Sequence, residues 1–67
     1  MKTYIFHYPN WERQPNGHQI KKMIEYRTKA LTRAEAEALF WNKQIASKTF
    51  TKYTKAEVIE NRKRIPL

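Results

Sequence analysis

Lysine and arginine are the residues of this sequence with the most chemistry to offer. Lys21, Arg27 and Lys29 fall at odd positions of one strand-like segment, and Arg62, Lys63 and Arg64 follow one another near the C-terminus. Cations in such patterns neutralise phosphates, and phosphate contacts position a nucleic acid on a protein. Trp11, two residues before Arg13 in a loop-like stretch, offers a ring to stack on a base or to lock into a partner protein, because aromatics and Arg are enriched at binding hot spots. Its alternative is to fold over a sheet edge, as Trp is usually largely buried.

The other reactive side chains make no constellation. His7 and His18 are the only imidazoles, without Cys or Asp and without an H-x-x-x-H spacing, so no metal site is expected. Ser47, the only serine, has no histidine near it in sequence, which leaves a catalytic triad unsupported. Glu35 and Glu37, two apart on a helix, do not face each other. No glycine-rich loop is present to cradle a nucleotide cofactor. The expectation is a non-enzymatic protein without a cofactor.

Charge points the same way. Fourteen Lys and Arg against six acids, all Glu, give a formal charge of +8. Such an excess favours an acidic partner, either nucleic acid (RNA or DNA) or an acidic protein surface. Solubility alone is the plainer reading, since small soluble domains tolerate net charges of roughly 2–8. At 67 residues the chain is one small domain, 1–67, with one small core, and without cysteine no disulfide reinforces it. Met1 is followed by a strand-like run rather than an apolar leader, and no stretch approaches membrane-spanning length. The expectation is a cytoplasmic monomer or homodimer with no membrane partner.

These side chains need elements to position them. Leu31–Lys48 is the clearest helix. Thr32 serves as N-cap with Glu35 three residues on, the capping-box spacing, and Ala34, Ala38, Trp41 and Ile45 fall on one stripe that should face the core. Leu39 and Phe40 lie on its flanks, which makes Phe40, with Trp11, a candidate partner-binding residue. Residues 2–8 alternate aromatics with other residues and read as a strand. Pro9 interrupts it, residues 9–18 read as loop, and Asn16-Gly17 signals a hairpin turn. Residues 19–30 form a second strand. Residues 54–64 are ambiguous: Thr54 with Glu57 repeats the capping spacing of a helix, whereas Val58 and Ile59 suit a strand over Glu57–Lys63. The strand is preferred, because a lone hairpin is marginally stable and a third strand widens the surface under the helix. The tail Ile65-Pro66-Leu67 should fray. The fold class is α+β: a three-stranded, mostly antiparallel sheet with one helix on one face, in the order β-β-α-β.

The register of the first hairpin decides what lies on the open face. A two-residue turn at Asn16-Gly17 sets residue i against 33 − i. Tyr4, Phe6 and Tyr8 then sit opposite Lys29, Arg27 and Glu25, forming a stacking platform for single-stranded bases. A one-residue bulge at Pro9 flips the segment beyond it. The three rings then join Ile24 and Tyr26 in the core and leave Ile5, His7, Lys21, Arg27 and Lys29 outside. The thinness of the core without those rings favours the second register. Arg27 and Lys29 stay on the open face in both.

The β-β-α-β order with a basic surface is similar, in topology alone, to the N-terminal domain of the bacterial ribosomal L9 protein. That family's loop pattern of glycine and lysine is missing, so none of its RNA contacts carries over. A helix opening like TRAEAEALFW after a strand hairpin also resembles short phage and mobile-element proteins, many of which bind host proteins. Two functions follow as expectations. One is nucleic-acid binding through Lys21, Arg27, Lys29, Arg62, Lys63 and Arg64, with Trp11 as a stacking residue. The other is a small, phage-type regulatory protein docking on an acidic host surface through Trp11, Phe40 and the same basic face.

Overall fold

The computed structural model describes all residues, Met1–Leu67. Five elements follow in chain order: β1 (Lys2–Arg13), β2 (Gln19–Ala30), α1 (Arg33–Ser47), β3 (Lys55–Glu60) and β4 (Lys63–Pro66). The strands form one antiparallel sheet in the spatial order β2-β1-β3-β4. The α+β class holds, but the sheet has four strands, not three, and the element order is β-β-α-β-β. No helix is long and apolar enough to cross a membrane.

The first hairpin is longer than its sequence suggests. β1 runs through Pro9 to Arg13, twelve residues in all. Proline is tolerated there because of where its missing N–H points. The carbonyl of His7 accepts the Thr54 N–H from the β3 side, so the backbone of Pro9, two residues on, points to that same side. Along β1, β3 reaches only Thr3–His7, so the position that cannot donate faces an open edge.

The hairpin closes over Pro15, Asn16 and Gly17. Gly17 N–H donates to the Gln14 carbonyl (3.0 Å), Gln14 N–H donates to the His18 carbonyl (2.7 Å) and Gly17 sits at φ 88°. This is a three-residue loop with glycine in the left-handed position, and it sets residue i against 32 − i along the whole hairpin. Tyr4, Phe6 and Tyr8 face Thr28, Tyr26 and Ile24. The rings therefore turn toward the helix, but the turn rather than a bulge at Pro9 puts them there.

The C-terminal strand breaks where one strand was expected over Glu57–Lys63. Asn61 and Arg62 both take positive φ, 50° and 63°, and Glu60 pairs directly with Lys63. This is a two-residue hairpin turn of the type that needs left-handed residues at both positions. Ile65 and Pro66, expected to fray with Leu67, instead belong to β4 (Lys63–Pro66). A left-handed non-glycine residue costs on the order of 1–2 kcal/mol. Arg62→Gly is therefore expected to stabilise the domain by roughly 0.5–1 kcal/mol after glycine's own entropy is counted, read as a raised urea midpoint.

The helix begins as its cap predicts, with the Thr32 hydroxyl accepting the Glu35 N–H at 3.2 Å. It closes on Lys48 in the left-handed region (φ 58°), with Thr49 N–H bonded to the Gln44 carbonyl at 3.1 Å. Its buried face is Ala36, Phe40 and Gln44, not the expected stripe: Ala34 and Ala38 are exposed, Ile45 is exposed and Trp41 is half-buried. The core is Tyr4, Phe6 and Tyr8 of β1, Ala30 of β2, Ala36 and Phe40 of α1, and Ala56 and Val58 of β3. Ile24, Tyr26 and Tyr53 pack against it.

Gln44 organises the connection that follows α1. Its side-chain oxygen accepts from the Thr49 hydroxyl (2.7 Å) and the Thr51 N–H (3.1 Å). Tyr53 packs on Phe6 with ring centroids 4.8 Å apart and donates to Glu37 at 2.6 Å. Phe50, three residues earlier in the same connection, is 66% exposed.

Candidate nucleic-acid interface

Side chains alternate across a strand, so the register fixes what the uncovered face displays. From the hairpin tip toward the base, its rows are Arg13 beside Gln19, Trp11 beside Lys21, and Pro9 beside Met23. Next come Glu25-His7-Lys55, then Arg27-Ile5-Glu57-Pro66 and Lys29-Thr3-Ile59-Arg64. Lys21, Arg27 and Lys29 thus lie on the open face, as the sequence indicated. Trp11 belongs to β1 rather than a loop, stands directly across from Lys21 and is 60% exposed. Phe40, the other candidate partner-binding residue, has no exposed surface. It is enclosed by rings and is a core residue.

The C-terminal run does not act as one cluster. Arg62 sits in the β3–β4 turn, Lys63 pairs with Glu60 on the helix side and Arg64 lies on the open face. Arg64 reaches across the sheet and donates to Glu25 of β2 at 3.1 Å, while Arg27 donates to the other oxygen of Glu25 at 3.4 Å. Glu57 of β3 is nearly buried, bonded to His7 Nε2 at 2.5 Å, with Arg64 3.8 Å away. The middle of the face is thus a mixed-charge network. Two of the predicted phosphate-binding cations, Arg27 and Arg64, already have a carboxylate, whereas Lys21, Lys29, Arg62 and Lys63 have no ion-pair partner. Arg13 and Lys55 are equally unpaired on this face, and alternation along β1 and β3 was the signal that could have added them to the candidates.

Two carboxylates of this network are held more acidic than usual. Glu25 is lowered from its ordinary 4.5 chiefly by the hydrogen bond from Arg64. Glu57 is lowered chiefly by the bond from His7. On the helix side, Glu37 is lowered by the Tyr53 hydroxyl and Arg33. In each case the folded state binds the proton less readily than the unfolded chain. The stability these groups contribute is therefore complete above 4.5 and lost as pH falls through the lower folded values. Urea midpoints are expected to drop as the pH is taken below 4.5, and Glu57→Gln should flatten that drop.

The most extended part of the site is the hairpin end. Beyond Ile24 every residue of β2 toward the tip is exposed, and so are Trp11, Glu12 and Arg13 of β1. A helix of 15 residues spans about 22 Å, whereas a twelve-residue strand spans about 40 Å. Five residue pairs, Pro9–Arg13 against Gln19–Met23, therefore extend as a two-stranded arm with neither helix nor third strand against it. The longest dimension of the molecule is 44 Å. Compared with protein-family models, with curated proteins and with solved structures, the chain matches none.

Proposed function

We propose that this chain is a non-enzymatic nucleic-acid-binding module, acting in the cytoplasm through its hairpin arm and the adjoining open face. The observation that carries the reading is Trp11 standing beside Lys21 on an uncovered ribbon, with Arg13 in the next row and no carboxylate paired to either cation. Lys29 extends the unpaired charge toward the sheet base. Arg27 and Arg64 contribute less, because Glu25 already neutralises them in part.

The test is binding of labelled single-stranded RNA, single-stranded DNA and duplex DNA at two salt concentrations, with a Lys21→Glu/Lys29→Glu variant beside the parent. Affinity is expected to fall steeply with salt, because each neutralised phosphate releases counterions. The variant should lose at least tenfold. Weak binding to all three ligands, indifferent to salt and to the variant, would refute the reading. A second reading, docking on an acidic protein surface, draws on exposed Trp11 and Met23 sharing the arm's open face and would then take its place.

A further inference from the structure

The arm has two faces of different character. On one, Arg13, Gln19, Trp11, Lys21, Pro9 and Met23 alternate with no acid among them. On the other, Glu12 and Lys22 neutralise each other at 2.6 Å, beside Asn10 and Ile20. Charge, amide and ring are thus gathered on a single side of a ribbon whose two edges are both unpaired.

Resting on the nucleic-acid reading above, we infer that this arm enters the major groove of duplex DNA and turns the Arg13–Gln19–Trp11–Lys21 face to the base edges. Three observations lead there. The first is size. A two-stranded ribbon, roughly 10 Å through with its side chains, is an element that a groove about 12 Å wide and 8.5 Å deep admits. The five pairs of the arm advance about 16 Å, so the ribbon reaches into the groove while the sheet body, with its Glu25 and Glu57 carboxylates, stays outside.

The second is side-chain chemistry. Arg13 and Gln19 stand directly opposite each other at the far end of the arm. Arginine bonds guanine through O6 and N7, and glutamine bonds adenine through N6 and N7. Both are forks that read a base edge rather than a phosphate alone. Lys21, one row back, is placed to meet a guanine edge or a backbone phosphate.

The third decides against single strands. A single-strand platform stacks successive bases on successive rings. The observed register turns Tyr4, Phe6, Tyr8 and Tyr26 toward the helix, where Phe6, Tyr8 and Tyr26 each pack within 5.4–5.8 Å of Phe40. Trp11 is left as the one exposed ring of the open face, and His7 is held by Glu57. One ring makes a contact but not a platform. Duplex RNA is excluded by its deep, narrow major groove, which side chains do not read.

The experiment is fluorescence anisotropy with a random-sequence 20-base-pair DNA duplex, the RNA duplex of the same sequence and each single strand. The proteins are the parent, Arg13→Ala/Gln19→Ala and, from the arm's other face, Lys22→Ala. All three changes are at exposed positions outside the core, and circular dichroism confirms the fold of each. The expected result is at least tenfold preference for duplex DNA, a loss of at least tenfold in the Arg13/Gln19 variant and less than threefold in Lys22→Ala. Methyl green, which occupies the major groove, should compete, and netropsin, which occupies the minor groove, should not. Equal or tighter binding to single strands or duplex RNA, an Arg13/Gln19 variant no weaker than the Lys22 variant, or competition by netropsin overturns the groove assignment while leaving nucleic-acid binding intact. Failure to bind any of the ligands overturns both.

Discussion

Replacing Phe40 with alanine is expected to leave much of the chain unfolded at 25 °C. Phe40 has no exposed surface, and its ring centroid lies 5.4 Å from those of Phe6 and Tyr8, 5.8 Å from Tyr26 and Tyr53, and 5.9 Å from Trp41. It is the one side chain of α1 that meets rings from β1, β2 and the segment before β3. Truncating a buried Phe costs about 3–5 kcal/mol, and the ring pairs add specificity that a smaller side chain does not replace. A domain of this length has a total stability of about 3–10 kcal/mol, so the loss consumes much or all of it. Phe40→Leu, which refills most of the volume, should cost clearly less. Ile45→Ala, at a position 57% exposed, should change stability by no more than about 0.5 kcal/mol. Urea unfolding followed by circular dichroism makes the comparison. A Phe40→Ala protein as stable as Ile45→Ala would mean that the helix does not seat on the sheet through this residue.

The same residue shows why the helix was legible in the sequence and its buried face was not. Thr32, Glu35 and a run of Ala, Glu and Leu announce a helix at the right place. Apolar residues, however, occur all around it: Ala34, Ala36, Ala38, Leu39, Phe40, Trp41 and Ile45. Periodicity alone gives no unique stripe in such a sequence. The sheet chooses. Tyr4, Phe6 and Tyr8 present rings to the helix, Phe40 fits among them, and Ala36 and Ala30 provide small surfaces for close approach.

The register was set by a residue whose meaning is plain once the turn is drawn. A two-residue turn at Asn16-Gly17 makes Pro15 and His18 the pair that closes it, and Pro15 has no N–H to donate. Moving Pro15 into the loop, where its fixed φ suits the second position of a type I turn, shifts the pairing by one residue and carries every ring to the other face. β4 had no comparable signal. Its turn uses Asn61 and Arg62 at positive φ, and arginine is not a residue that announces such a turn. The ion pairs of Arg64 on the open face depend on β4 and were hidden with it. Arg27 and Lys29 could be assigned from alternation alone, but Arg64 reaches Glu25 only because a fourth strand lies against β3. A site built from adjacent residues of one strand is readable in sequence. A site assembled across four strands depends on turns that local composition does not fix.

Ile5 gives the second large effect, and it bears on which cations are available to a ligand. It faces the side of the sheet that no helix or loop covers, in the row between Arg27 and Glu57, yet its exposure is zero. Only side chains of the same face can cover it. The Arg64–Glu25 bond joins β4 to β2 across the two strands between them, and long basic side chains lay their apolar stems along such surfaces while the charged head stays wet. Ile5→Ala is therefore expected to cost as much as a core truncation, about 2–5 kcal/mol. If the canopy swings freely in solution, Ile5 is effectively a surface residue and the cost shrinks to about 0.5 kcal/mol or less. A double-mutant cycle with Arg64→Ala separates the two cases, since residues in contact couple by about 0.5–3 kcal/mol and independent ones do not. Strong coupling means that Arg64 spends its time over Ile5 and bound to Glu25. A phosphate would then have to draw Arg64 away from a carboxylate and uncover an isoleucine, whereas Lys21, Arg13 and Lys29 meet it with no such opposing cost. Coupling at Ile5 thus measures how far binding must rely on the arm rather than on the centre of the sheet.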